Sequence, residues 1–224
     1  MKIGIAVPCF IGHLNNLKLL LESIEKQTTL PDKVVVSCSS TPYNCTFFDG
    51  IKFNYELEII YTEEIKNAAQ NRNIAISKLT NMDYITFIDA DDIMHPQRIE
   101  VLLKVFQETN CDIILHNFYL NTKYNFNNIQ NINFKVNSLK HCPSGHIIHK
   151  NDEYNYVQHI HHSQSSVKKY LTDIIRYREE KEFIAREDSI FCYDIFNLNN
   201  INNAYIIDEL SFYKSNNSLN YLLN

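Results

Sequence analysis

Glycine is scarce in this sequence, which has four glycines among 224 residues. A loop that cradles phosphates with its backbone needs several glycines close together. Only Gly12 lies in the segment of residues 8–14, which follows the first apolar run. The sequence therefore disfavours proteins that bind nucleotides through a glycine-rich loop at this position.

Closely spaced cysteine pairs are also lacking. The six cysteines are scattered, and no two of them form a Cys-x-x-Cys pair: Cys9, Cys38, Cys45, Cys111, Cys142 and Cys192. This pattern fits neither a zinc ribbon nor a small secreted scaffold held by disulfides. We therefore expect reduced thiols in a cytoplasmic protein.

The sequence has no excess of basic residues and no long apolar run. Its 21 lysines and arginines are outnumbered by 26 acidic residues, which gives a net charge of -5. A nucleic-acid-binding surface needs a basic face, so we expect a small-molecule partner. No segment approaches the roughly 20 apolar residues that span a bilayer. The opening run at residues 3–7 is typical of a strand rather than a signal peptide.

Apolar runs alternate with segments of helical period along the first half of the chain. Short runs predict strands at residues 3–7, 34–36, 57–61, 84–88 and 111–115, while apolar residues three or four apart predict helices near residues 14–24, 68–79 and 96–106. Pro96 is expected in the first turn of the last of these helices. The alternation predicts an α/β protein whose mainly parallel sheet is covered on both faces.

Three carboxylates follow the fourth predicted strand within four residues: Asp89, Asp91 and Asp92. Carboxylates this close repel one another, and a hard divalent cation such as Mg²⁺ or Mn²⁺ removes that penalty. Ligands of open α/β sheets bind beyond the carboxyl ends of the strands, where these acids are expected. The alternative is structural: Asp91 or Asp92 caps the helix near Pro96, and Asp89 is solvated.

Six histidines lie close together in the second half of the chain: His141, His146, His149, His159, His161 and His162. Their spacing matches no standard zinc-ligand pattern, and neighbouring side chains on a strand point to opposite faces. We therefore favour polar residues that line or border a cleft over a zinc site. The asparagine-rich residues 121–137 before them are typical of an irregular connection or a hairpin.

Four motifs resemble those of glycosyltransferase family 2 in their order and spacing. They are residues 5–10 (Ile-Ala-Val-Pro-Cys-Phe), residues 70–75 (Gln-Asn-Arg-Asn-Ile-Ala), the acids at residues 89–92 followed by Pro96, and residues 186–189 (Arg-Glu-Asp-Ser). The similarity covers residues 2–118 and about 161–218. Each motif alone is common, but four in register are specific.

The resemblance implies a GT-A fold, in which a mixed, mainly parallel Rossmann-like sheet flanked by helices forms one continuous domain. We expect residues 1–224 to form that domain. The nucleotide-sugar-binding half is expected at residues 1–118, and the acceptor-binding half at residues 119–224.

The same resemblance implies roles for residues of the nucleotide-binding half. Asp91 matches the acid that ligates the metal, Mn²⁺ or Mg²⁺, and Asp89 matches the acid that contacts the ribose or the metal with its water shell. Asp92 is then the cap of the following helix. Arg72 matches a basic position near the nucleotide. The segment that lies under the base matches Pro8, Cys9 and Phe10.

One segment departs from the family pattern. The family commonly has a pair of acids after its second strand, one of which binds the uracil ring, while this chain has Ser37, Cys38, Ser39 and Ser40. A hydroxyl accepts the hydrogen bond of the base more weakly than a carboxylate does. We expect Cys38 and Ser39 to lie at the base, a UDP-sugar as the donor, and weak discrimination among nucleobases.

Two further positions concern the second half of the chain. Asp188 resembles the acid that begins a helix in this family and acts as the general base, although the segment Glu187-Asp188-Ser189 also suits a helix N-cap. Near the C-terminus, Asn216 replaces a histidine that completes the metal shell in many members. Lys214 is either a diphosphate contact or a solvated surface residue.

These features predict an inverting, metal-dependent glycosyltransferase. It would move a sugar from a nucleotide-diphosphate donor to a hydroxyl of a glycan or another acceptor, with no nucleic acid and no transmembrane segment involved. Two alternatives stay open: a nucleotidyltransferase that acts on a sugar phosphate, and an inactive nucleotide-binding partner protein.

Overall fold

The computed structural model describes residues 1–120, 164–184 and 186–213. Eight strands are present in these residues: β1 (Ile3–Phe10), β2 (Lys33–Ser39), β3 (Glu56–Tyr61), β4 (Tyr84–Phe87), β5 (Ile93–Met94), β6 (Ile113–Leu120), β7 (Ser165–Lys168) and β8 (Asn203–Tyr213). The same residues contain five α-helices: α1 (Leu14–Glu25), α2 (Ala68–Ser77), α3 (Arg98–Thr109), α4 (Leu171–Ile174) and α5 (Glu187–Phe196).

All eight strands belong to one mixed sheet in the order β3-β2-β1-β4-β7-β6-β8-β5. The pairs β1·β2, β1·β4, β2·β3 and β6·β8 are parallel, whereas β7 runs antiparallel to β4 and β6, and β5 to β8. The prediction of a mainly parallel α/β sheet is therefore confirmed. Strands of both expected halves share the sheet, and the expected boundary at residue 118 lies inside β6. The division of function between the halves stays a prediction.

Helices cover both faces of the sheet, and the alternation of strand side chains divides the core between them. Val34 and Val36 of β2 pack in the core layer that includes α1 and α3, whereas Val35 packs in the opposite layer with α2 and α5. A strand that is buried on both faces needs apolar side chains at consecutive positions. The three adjacent valines, all fully buried, meet this requirement.

The beginning of α3 differs from the sequence prediction. Pro96 lies before the helix, which begins at Arg98 and has Gln97 as its N-cap residue without a side-chain capping bond. β5 lies between the acids and the helix, and its Ile93 pairs with Phe212 of β8. The prediction that Asp92 caps α3 is wrong, because pairing with a strand from the far end of the chain draws residues 93–94 into the sheet.

Several sequence features lie outside the described residues. They are residues 121–137, the six clustered histidines, Cys142, Lys214 and Asn216. The five cysteines inside the described ranges are free thiols. None of the helices in those ranges is long and apolar enough to cross a membrane.

Candidate active site

The acidic segment at residues 89–92 follows the carboxyl end of β4, beside the carboxyl ends of β1 and β2. β1 pairs with both β2 and β4, so residues 8–10 at its end lie next to the acids. Asp89 and Asp91 are partly exposed, whereas Asp92 is fully buried. Two of the three carboxylates thus border the crevice that is expected at the end of an open parallel sheet.

Asp92 is buried inside the protein, and its charge acts on Arg98 of α3. Burial lowers the pKa of the Arg98 guanidinium to about 9, and the negative charge of Asp92 opposes this shift. The Nη2 group of Arg98 donates hydrogen bonds to Thr86 Oγ1 at 2.7 Å and to Phe87 O at 2.8 Å. Arg98 therefore joins the end of β4 to α3, with Asp92 as a buried negative charge nearby.

Arg72 of α2 connects the acidic segment to the second half of the chain. Its Nη2 group donates to Asp89 Oδ1 at 2.9 Å, and its Nη1 group donates to Glu187 Oε1 at 2.8 Å. Burial lowers the pKa of Arg72, but the charges of Asp89 and Glu187 outweigh this effect, and the pKa lies above its usual value. The guanidinium is therefore charged and holds one acid from each half.

Asp188, the predicted general base, lies in the first turn of α5. It is 8% exposed, and its Oδ1 accepts a hydrogen bond from the backbone N–H of Ser189 at 2.8 Å. The N-cap residue of α5 is Arg186, so Asp188 does not occupy the N-cap position. The positive end of the helix dipole favours a charged carboxylate at this place.

Tyr213 at the end of β8 lies within electrostatic range of acids from both halves. Burial raises the pKa of its hydroxyl, and four carboxylates raise it further: Asp92, Asp91, Asp89 and Asp188. β8 brings this tyrosine to the site because its neighbour Phe212 pairs with Ile93, just after the acidic segment. The structure therefore brings the acids after β4, the acid of α5 and a phenol to one site.

The residues predicted to contact the nucleobase form a hydrogen-bonded group at the ends of β1 and β2. The hydroxyl of Ser39 lies 3.4 Å from Cys9 O and accepts a hydrogen bond from Asn71 Nδ2 at 3.1 Å. Asn71 also donates to Cys9 O at 3.2 Å and accepts from Ser37 Oγ at 2.9 Å. Cys38 and Ser39 are buried, and their side chains make hydrogen-bond contacts inside the protein. A contact of either residue with a base stays a prediction.

Phe10 is the part of residues 8–10 that a ligand can reach. Pro8 and Cys9 are buried, whereas Phe10 is partly exposed. Its ring centroid lies 4.3 Å from that of His13. A Cβ atom at Gly12 would lie 2.4 Å from the Phe10 ring, so the single glycine of this loop makes room for the aromatic ring.

The acids of this site suit a divalent cation that is shared with a bound phosphate group. In the part of the chain that the structure describes, no three or more histidine, cysteine or carboxylate side chains form a metal site by themselves. Asp89 is bound by Arg72, and Asp91 is partly exposed. Mg²⁺ is commonly held by one or two carboxylates, while phosphate oxygens and water supply its other ligands. This donor set therefore fits a cation that binds together with a diphosphate.

Sequence reasoning assigned no role to three side chains that the structure places in or beside the site. Asn71 joins β1 to β2, Tyr177 lies over the guanidinium of Arg72 at 5.2 Å, and Tyr213 lies within electrostatic range of the acids. The adjacent polar residues Asn71 and Arg72 in a buried helix could have indicated a hydrogen-bonded site from the sequence, since such residues are seldom buried without partners. The two tyrosines have no local signal, because their contacts join distant segments.

Comparison with known proteins identifies the family to which this fold and site belong. The pattern of Glycosyl transferase family 2 matches residues 5–175. The match covers more than half of the chain, and the chain belongs to this family. The resemblance found in the four sequence motifs is thereby confirmed.

Two curated relatives match parts of the chain. Glycosyltransferase GlyG of Streptococcus pneumoniae serotype 4 is 30% identical over 122 residues, which are 52% of this chain and 39% of GlyG. An uncharacterized glycosyltransferase of Haemophilus influenzae is 24% identical over 115 residues, or 51% of this chain and 38% of the relative. The matched region thus spans less than half the length of either relative.

Solved structures of S. aureus TarS have the same fold. TarS residues 1–349 in complex with UDP superpose with a TM-score of 0.70 at 18% identity, and the match covers 95% of this chain and 60% of that one. The complex with UDP-GlcNAc gives a TM-score of 0.69 at 17% identity, with coverages of 97% and 60%. At this level of identity, the likeness establishes the GT-A fold and not the substrate.

Proposed function

We propose that this chain is an inverting, metal-dependent glycosyltransferase that moves a sugar from a nucleotide-diphosphate donor to an acceptor hydroxyl. The observation that carries the proposal is the meeting of two sets of acids. Asp89 and Asp91 follow β4, and Asp188 lies at the start of α5. Tyr213 lies within the electrostatic field of all three. Membership of family 2 supports the reaction type.

The donor side of the site must stabilise the negative charge that develops on the departing diphosphate. When bound, Mn²⁺ or Mg²⁺ supplies Lewis-acid stabilisation of that charge. Asp91 would hold the cation, and Asp89 would contact the ribose or the water shell of the cation. Arg72 keeps Asp89 in place through its hydrogen bond, and Tyr213 provides a hydrogen-bond donor beside these acids.

The acceptor side needs a base, because the pKa of a sugar hydroxyl lies far above neutral. Asp188 is the proposed base, and such a group contributes about 10²–10⁴-fold to the rate. The N–H of Ser189 fixes the orientation of its carboxylate. Attack by the acceptor from the side opposite the diphosphate inverts the anomeric carbon in a single displacement, without a covalent enzyme intermediate.

A UDP-sugar is the proposed donor. S. aureus TarS, which has the same fold, forms crystals with UDP and with UDP-GlcNAc. In this chain, neutral side chains at the end of β2 occupy the positions where the family commonly has acids. Ser39 is hydrogen-bonded to Asn71 and Cys9. We therefore propose a site that accepts UDP but discriminates weakly against other nucleobases.

The substitution Asp188→Asn tests the proposed base. The release of nucleoside diphosphate from a panel of UDP-hexoses with Mn²⁺, in which water is the acceptor, should fall by about 10²-fold or more. UDP affinity, measured by titration calorimetry with Mn²⁺, should stay within about threefold, because the base acts in the transition state. Asparagine keeps the shape and the hydrogen bond to the Ser189 N–H.

Asp194→Asn on the same helix is the matched control. Its carboxylate pairs with Arg178 at 2.7 Å, and wild-type turnover is expected. Retained turnover in Asp188→Asn would make Glu187 the next candidate, and an equal loss of UDP affinity would move Asp188 to the donor site. Conversion of UTP and a hexose 1-phosphate to a UDP-hexose and pyrophosphate would identify a nucleotidyltransferase, and UDP binding without any release from UDP-hexoses would identify an inactive partner protein.

A further inference from the structure

Arg72 lies between two acids that belong to different steps of the proposed reaction. Asp89 is part of the donor-side acidic segment, and Glu187 directly precedes the proposed base Asp188. The Arg72 side chain is 1% exposed, compared with 22% for Asp89 and 9% for Glu187. The resemblance implies a basic residue near the nucleotide, but Arg72 has almost no surface with which to contact one.

The Arg72 guanidinium is fixed at its edges and on its face. Its two amino groups donate to two different carboxylates, at 2.9 Å and 2.8 Å. The Tyr177 ring covers its face at 5.2 Å, and Tyr177 in turn stacks on Phe191 of α5 with ring centroids 4.2 Å apart and planes at 7°. The donors of arginine have fixed directions. One rigid group therefore sets the separation between Asp89 and the start of α5.

We infer that Arg72 is a positioning residue. Through Glu187 it fixes the first turn of α5, and with it the Asp188 carboxylate, relative to Asp89 and the bound donor. This inference rests on the proposed function. A displacement of about 1 Å in a reacting group can cost 10²-fold in rate, so Arg72 governs turnover without touching the nucleotide.

Arg72→Lys and Glu187→Gln test the inference. Lysine carries one compact ammonium that cannot hold both acids in fixed directions, whereas glutamine keeps an oxygen that accepts from Arg72. In Arg72→Lys, kcat for UDP release with Mn²⁺ should fall by about 30-fold or more, and in Glu187→Gln by less. The UDP dissociation constant should stay within about threefold in Glu187→Gln, and in Arg72→Lys it should rise by much less than kcat falls, because a lysine ammonium can still pair with Asp89. Because both residues act through one contact, the double variant should be no slower than Arg72→Lys.

Arg178→Lys is the matched control, since Arg178 makes an exposed ion pair with Asp194 of the same helix, and its kcat should not change. UDP affinity that weakens in proportion to activity in Arg72→Lys would make Arg72 a nucleotide ligand and overturn the inference. Wild-type kcat in folded Arg72→Lys would overturn it too, as would independent, multiplicative losses in the double variant.

Hydrogen exchange gives a second measurement that does not depend on turnover. Backbone amides 186–190 at the start of α5 should exchange about tenfold faster in Arg72→Lys, while amides of α1 keep their rates. Unchanged exchange at 186–190 would overturn the inference. Failure of the proposed function is recognised separately. In that case Asp188→Asn keeps wild-type turnover, whereas failure of this inference alone leaves Asp188→Asn inactive.

Discussion

Asp91 and Asp92 are neighbours in the sequence and lie in different environments. Asp91 is partly exposed, whereas Asp92 is fully buried and acts electrostatically on Arg98. A partly exposed acid at a strand end contributes little to packing. A buried acid that acts on a buried guanidinium contributes to stability, because its loss leaves the positive charge less compensated. Substitutions of the two residues should therefore affect different properties.

Asp91→Asn should weaken Mn²⁺-dependent UDP binding by about tenfold or more, because an amide is a poorer ligand for a hard cation. The free energy of unfolding should change by less than about 0.5 kcal/mol. Asp92→Asn, as the matched variant, should lower the free energy of unfolding by about 1–3 kcal/mol and keep UDP affinity. Titration calorimetry with and without Mn²⁺ and urea unfolding measure the two effects. Undiminished Mn²⁺-dependent binding in folded Asp91→Asn would refute the role of Asp91 as a ligand.

Tyr213→Phe should lower kcat/KM by about tenfold, the value of one hydrogen bond to a charged group. The pKa of the Tyr213 hydroxyl is raised by burial and by the charges of the acids, so at neutral pH the group is protonated and available as a hydrogen-bond donor. Steady-state UDP release with Mn²⁺ is the measurement. Tyr43→Phe is the control, since Tyr43 is 68% exposed. Equal activity of the two variants would place the Tyr213 hydroxyl outside the reaction.

At the scale of elements, α2 holds the parts of the site together. It carries Arg72 and Asn71, and its start is closed by a capping box in which the Asn67 side chain accepts from Gln70 N at 2.9 Å and Gln70 Oε1 accepts from Asn67 N at 3.0 Å. The Nδ2 group of Asn67 also donates to Glu179 O at 2.9 Å. One asparagine therefore fixes both the helix start and a segment of the second half.

Asn67→Ala should lower the free energy of unfolding by about 1 kcal/mol through loss of the cap. For a chain of this size, the corresponding fall in Tm is about 2–4 °C. Thermal unfolding measures it, and Ser77→Ala at the exposed end of the same helix is the control, with an expected change below about 0.5 kcal/mol. An unchanged Tm in Asn67→Ala would show that packing alone holds the start of α2.

At the scale of the whole molecule, ligands that bind only the folded chain should raise its Tm. UDP at a hundred times its dissociation constant should add about 2.7 kcal/mol to the free energy of unfolding, and at a fixed UDP concentration the increase should be larger with Mn²⁺ than without it. Because the groups at the end of β2 are neutral, UDP should be preferred over GDP by less than about 100-fold. A thermal-shift panel of UDP, GDP, TDP and CMP compounds measures this preference. A larger preference that persists in Ser39→Ala and Cys38→Ala would show that other residues bind the base.

The sequence by itself determined the order of the first strands and helices and the place of the acids. The valines at 34–36 and the helical spacing of apolar residues at 14–24 are local patterns, and local patterns follow from the geometry of strands and helices. The acids at 89–92 follow an apolar run directly, so their position at a strand end could be predicted. The family resemblance added the GT-A fold, which the TarS structures match.

Only the tertiary structure decided which acids face the crevice and which residues join the two halves. β5 has two residues and β7 has the sequence Ser-Ser-Val-Lys, so neither carries a long apolar run, and both form because partner strands are available. Asp92, which directly precedes β5, is buried. The pairing of Arg72 with Glu187 joins residues 115 positions apart. Burial and ion pairing depend on which segments meet in space, and the periodicity of a single segment does not contain that information.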